Sequence, residues 1–333
     1  MTLNKGFAPH LRRTERASYM SLDVLITLIP LCIFSSVYYG FRPVLLVLTG
    51  MITAMACELL CCAFLRRRPT LLDGTAAVTG GLIGAMMSPL TPYWVPALGA
   101  AFAIVVVKMP FGGTGRNVFN PAAAGMAVVT HCFSTRLFLY PDPSLNAPLA
   151  LSGDLGKALT EMSPAAQLAG GGSPTYSWAE LAIGRFPGPI GATCIAVLAA
   201  CALYLFTRRT ASPLITLSFL AVCALSAILF PRLKDAAWQQ SVMMELCSGY
   251  LLFAGIFLLN DPVTAPRHWL GRLLYGAFAG ILVMALRYFG RFEDAACFAV
   301  LLVNAFAPIL DRWSWRLVHT LTKGLRPAEG GGC

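Results

Sequence analysis

Met20–Arg68 reads MSLDVLITLIPLCIFSSVYYGFRPVLLVLTGMITAMACELLCCAFLRRR. Two apolar runs, 20–40 and 43–65, are parted by a short turn at Gly40–Arg42 and closed by three arginines. Each is as long as the ~20 residues a helix needs to cross ~30 Å of hydrocarbon. Outward from this pair the same reading gives eight more segments: 74–91, 93–109, 119–134, 189–207, 213–231, 241–260, 271–288 and 294–311. The third and fifth segments of the ten are short and rich in Gly, Ala and Pro. They are read as broken or half-membrane helices, which persist only when buried in protein or lining a cavity.

Composition agrees. Of 333 residues, 57% are hydrophobic and 12% charged, against about 25% charged in soluble domains. Mean hydropathy is +0.69. The net charge of +10 does not indicate nucleic acid, because most Lys and Arg fall in the gaps between apolar runs, where they set topology. With the N-terminus inside, 17 of the 25 Lys and Arg lie on the cytoplasmic side. The expected fold is therefore all-α and polytopic, with about ten transmembrane helices and both termini cytoplasmic. The expected organisation is an N-terminal tail (1–19), a first bundle half (20–134), an extracytoplasmic loop (135–188), a second bundle half (189–311) and a C-terminal tail (312–333). The expected location is a bacterial inner (plasma) membrane.

Eleven cysteines include no CxxC pair, so an iron–sulfur cluster held by this chain alone is not expected. His10, His131, His268 and His319 are scattered, and no metal site is expected. No P-loop, GxGxxG or HExxH motif occurs,.

Four segments are candidates for chemistry. Lys108–Ala122, KMPFGGTGRNVFNPA, joins the fourth and fifth spans. Gly112, Gly113 and Gly115 permit φ > 0 and close backbone approach. Asn117 and Asn120 supply amide donors and acceptors, and Asn120-Pro121 is an N-cap followed by a first-turn proline. Leu259–Arg272, LNDPVTAPRHWLGR, places Asp261 at a membrane edge between helix-breaking prolines, a costly position that pairs or serves function. Leu71–Trp94 is glycine-rich, suited to close helix packing. Pro187–Thr193, PGPIGAT, reads as a capped helix start.

The succession DGTAAVTGGL, SPLTPYW, FGGTGRNVFNPAAAG, PGPIGAT, NDPVTAP and DAACFAVLLVNAFAPILD resembles the RnfD/NqrB family from about Leu22 to Asp311. The short N-terminal tail is closest to the RnfD members, from Rnf-type complexes; the NqrB members, from Na+-translocating NADH:quinone reductases, are the alternative. The resemblance implies FMN attached by a phosphoester to a hydroxyl in the extracytoplasmic loop. The local match, Lys157–Pro164 (KALTEMSP), lacks the family's acidic residue and its Gly-Ala pair. It places Ser163 at the attachment point, with Thr160 and Thr193 as fallbacks. Pro164 biases Ser163 towards an extended backbone, which is expected to present its hydroxyl to solvent. The resemblance also implies a second, non-covalent flavin, such as riboflavin, near Gly112, Gly113, Gly115, Asn117, Asn120, Asp261 and Thr264.

The expected function is a flavin-carrying subunit of an ion-translocating ferredoxin:NAD oxidoreductase, relaying electrons coupled to Na+ or H+ transport. Expected partners are the other subunits of such a complex, a flavin transferase and membrane lipid, with no nucleic acid. A secondary transporter is the rival class, since broken helices and Asp261 also suit a midplane substrate site. No clear internal repeat is read beyond an echo between Asn120-Pro121 and Asp261-Pro262.

Overall fold

A computed structural model describes residues 17–66, 71–143, 160–172, 176–233, 237–290 and 292–324. Each of the ten apolar segments carries helix: α1 (Ala17–Tyr39), α2 (Arg42–Phe64), α3 (Thr75–Ala85), α4 (Trp94–Phe102), α5 (Pro121–Leu137), α8 (Ile195–Thr207), α9 (Pro213–Leu229), α10 (Trp238–Cys247) with α11 (Leu251–Phe253), α12 (Trp269–Phe289) and α13 (Ala296–Gly324). Among the described residues, α1, α2, α12 and α13 are each long and apolar enough to cross a membrane alone. The pair formed by α10 and the helix from Leu251 to Leu258 would do so as one span bent by 67°. The outward surface is apolar, with Phe64 86% and Phe289 90% exposed.

The segment 135–188 carries local structure where it is described. It holds helices α6 (Pro164–Ala169) and α7 (Trp178–Ile183), and a two-residue strand β1 (Tyr140–Pro141) pairs with β2 (Thr160–Glu161). The proposed C-terminal tail begins as helix, because α13 continues past Asp311 to Gly324. Charge at Arg312 ends the apolar run, but no Gly or Pro follows until Gly324 to end the helix,.

The short third helix has a physical origin. It begins at Gly74, in the left-handed region at φ +68°, and packs backbone to backbone on α2. A Cβ on Gly80 would collide with the Gly50 carbonyl, and one on Gly84 would sit 2.7 Å from the Val47 Cα. The chain then leaves the helix inside the protein. Ser88 and Thr91 are fully buried, so the backbone here needs protein partners. Arg42 supplies some: its Nε donates to the Pro89 carbonyl (2.8 Å) and its Nη2 to that of Thr91 (3.1 Å). Pro187–Thr193 supplies others, since Ile190 N donates to Met87 O (3.0 Å) and Gly191 N to Ala85 O (2.7 Å). That segment is therefore not a helix start; α8 begins only at Ile195.

The second half breaks the same way. Gly249, at φ +63°, precedes α11. The Arg287 guanidinium holds the bend, donating to Glu245 O (2.6 Å), Ser248 O (2.6 Å) and Asp294 Oδ2 (3.2 Å). In each half a left-handed glycine opens a short helix and a Pro-containing stretch leads to the Trp that starts the next one, from Gly74 to Trp94 and from Gly249 to Trp269.

Candidate functional site

Two helices end in a π-helical turn. Ala103–Lys108 continues α4, and Ala254–Leu258 continues α11. Met109 N bonds Ile104 O (2.9 Å) and Leu259 N bonds Ala254 O (3.0 Å). Such turns widen a helix and often mark functional positions. Each opens into one of the polar turns singled out from sequence, and the fold brings those two turns together. Asn120 Nδ2 donates to Leu258 O (2.8 Å), while its Oδ1 accepts from Ala123 N (3.1 Å). One side chain thereby caps α5 and ties it to the turn after α11.

Between the turns lies a cavity of about 290 Å³, closed on its other sides by α3 and the start of α1. Gly115, Asn117, Asn120 and Asp261 line it. Asn117 Nδ2 donates to Phe119 O (3.2 Å) and Asp261 Oδ2 (3.4 Å), and Thr264 Oγ1 donates to the same carboxylate oxygen (3.1 Å). Asn117, Asp261 and Thr264 thus form one hydrogen-bonded group, with Asn120 beside it on the cavity wall. Gly112, Gly113 and Gly115 all have positive φ; Gly112 and Gly113 shape the turn without lining the cavity.

Sequence reasoning misses the most strongly ionic part of this wall. Lys108 reads as a topology charge, yet its Nζ lies 3.1 Å from both oxygens of Glu58 and 2.7 Å from Thr75 Oγ1. Both side chains are almost wholly buried, 3% and 1% exposed. The signal is Glu58 itself, an ionisable residue deep inside an apolar run. Asn260 is missed too: Nδ2 donates to Thr216 Oγ1 and two carbonyls, and Oδ1 accepts from Ser212 N, locking the turn after α11 to α9.

The attachment candidates lie elsewhere. Ser163 contacts the loop after α12, whereas the cavity adjoins the loop before it; α12 itself spans on the order of 30 Å. Ser163 is extended before Pro164, at φ −62° and ψ 159°, as expected. It is not presented to solvent. It is fully buried because it is the N-cap of α6: its Oγ accepts from Ala166 N (3.1 Å) and donates to Glu293 Oε1. Burial, then Asp294, pushes the Glu293 carboxyl up to about 8. Thr193 is also buried. Thr160 falls in β2, and its side chain lies outside the described residues.

The signature of the NQR2, RnfD, RnfE family matches residues 5–318. The chain belongs to that family. Its similar relatives include the D subunit of the ion-translocating oxidoreductase complex of Shewanella amazonensis, 30% identical over 93% of this chain and 96% of the relative. Proteins of the same description from Halorhodospira halophila (28%, covering 95% of each chain) and Stutzerimonas stutzeri (30%, covering 87% of this chain and 88% of the relative) are also similar. Family membership makes this a membrane protein, and the relatives' names place them in a multi-subunit redox complex. The paired turns around the cavity fall within the matched residues of the NQR2, RnfD, RnfE family.

Proposed function

We propose that this chain is a flavin-carrying subunit of an ion-translocating electron-transfer complex of the Rnf type, and that the cavity between the two turns holds a non-covalent flavin. The observation behind this reading is the cavity. Its size is at the lower end of small-molecule sites, and its mainly apolar wall with a few convergent polar groups is the usual character of such sites. When bound, a flavin supplies one- and two-electron transfer; the chain's part is to bind, orient and shield it. Asn117 and Asp261 fix the polar edge, while Val78, Leu82 and Phe257 provide the apolar wall. Electron donors and acceptors, with ferredoxin and NAD as the outer pair, belong to partner subunits. Flavin absorbance in the purified chain, with flavin released on denaturation, is the expected result. A colourless chain would favour a permease, the reading that the two broken helices also permit.

Ser163 does not fit an attached phosphoester in the arrangement seen, because its hydroxyl is buried and engaged on both sides. Attachment there requires the α6 N-cap to open. Attachment at Ser163 would show as in-gel flavin fluorescence of the denatured chain that is lost in Ser163→Ala, at a stability cost of about 1 kcal/mol for the lost cap. Fluorescence that survives in Ser163→Ala but disappears in Thr160→Ala or Thr193→Ala would move the attachment.

The ten-span topology with both termini cytoplasmic is also proposed. Arg42, Lys108 and Arg287 are buried, and leaving them out of the charge count gives 16 inside to 6 outside, a bias of the same sign. A reporter fused after Arg326 should be active in the cytoplasm, and one inserted near Gly171 outside it. Activity of both on one side would refute this topology.

A further inference from the structure

We propose that the groove between the start of α12 and the Asp311–Arg316 stretch of α13 binds the headgroup of an acidic phospholipid. The groove encloses about 570 Å³ and is lined by Arg267, His268, Asp311, Arg312, Trp315 and Arg316. Arg312 and Arg316 are four residues apart and share a helix face,. The groove is held in shape from both sides. Asp311 Oδ1 accepts from Arg267 N (3.2 Å) and His268 N (3.3 Å). Gly271 lets the helices approach, since a Cβ there would lie 3.0 Å from Ser314 Oγ. The guanidinium groups of Arg267 and Arg312 therefore share the groove with the Asp311 carboxylate, of which one oxygen already serves backbone N–H groups.

Depth decides the occupant. Two helices long and apolar enough to cross a membrane meet here, α12 beginning at Trp269 and α13 leaving its apolar run at Arg312. Trp315 lines the groove, and Trp269 and Trp313 adjoin its lining residues His268 and Arg312 in sequence; the three are 62%, 55% and 62% exposed, as tryptophans are at the headgroup level. Guanidinium groups at that level match the phosphodiester of a lipid. On the topology proposed above, this is the cytoplasmic leaflet, whose acidic lipids attract basic sites.

The test is native mass spectrometry of the full chain in detergent, with dioleoyl phosphatidylglycerol or dioleoyl phosphatidylcholine added. Preferential retention of phosphatidylglycerol is expected. Each arginine removed should weaken it about fivefold, so Arg267→Gln with Arg312→Gln should weaken it about 25-fold. Phosphatidylcholine retention should not change. Arg136→Gln, which removes an exposed charge at the far end of α5, should leave both unchanged, and Arg312→Lys should fall between wild type and Arg312→Gln. Equal retention of the two lipids, or undiminished phosphatidylglycerol retention in the double variant, would overturn the proposal. Displacement of the lipid by millimolar inorganic phosphate would make this a free-anion site instead. Loss of the preference on assembly of the complex, with Arg267 and Arg312 protected from chemical modification, would make it an interface with a partner protein.

Discussion

Ala122→Phe is expected to strip non-covalent flavin from this protein. Ala122 sits in the first turn of α5, is 2% exposed and lines the cavity. Pro121 and the Asn120 cap fix the helix start, so the new ring has little freedom to turn away. It takes space that the ligand needs, and each ~1.4 kcal/mol of resulting overlap weakens binding about tenfold. Retained flavin, measured after denaturation of the purified chain, should fall at least about tenfold. The variant should still elute as a single species, because the ring enters open volume instead of a filled core. Undiminished flavin in a well-behaved Ala122→Phe protein would show that the cavity is not the site.

Lys108→Met is expected to destabilise the fold by about 3–5 kcal/mol, because it leaves the Glu58 carboxylate buried without its cation. Glu58→Gln should cost a similar amount by stranding the ammonium. The double variant should recover most of the loss, since replacing both partners of a buried pair is often neutral. A double-mutant cycle on denaturant unfolding in detergent reads this coupling directly. The near-complete burial of both side chains means that salt should scarcely alter it. Single variants as stable as wild type would mean that water reaches the pair.

Much of the fold is legible in the sequence because hydrocarbon imposes a length. Runs such as 20–40 and 43–65 have to be helices, since no other local structure satisfies their backbone in lipid. The two polar turns are equally visible, as glycines and asparagines beside Pro121 and as Asp261 between prolines. Neighbouring residues and their spacing settle such features.

Inferences about surroundings fare worse. Pro164 predicts an extended, exposed Ser163; the extension is correct, but a first-turn proline also makes Ser163 a helix N-cap, and Glu293, 130 residues away, covers it. Pro187–Thr193 looks like a helix start because its carbonyl acceptors, Ala85 and Met87, lie on and just after α3. Lys108 looks like a loop charge because Glu58 lies on another helix, 50 residues earlier.

The sequence by itself determined the membrane class, the all-α character, the family and the two turns, because each depends on composition, run length or adjacent residues. Only the tertiary structure decided that the turns face each other across a cavity, that Lys108 and Glu58 form a buried ion pair, and that Ser163 caps a helix and is covered. Each of these depends on partners distant in sequence, and burial of a charge or a hydroxyl is a property of what packs against it.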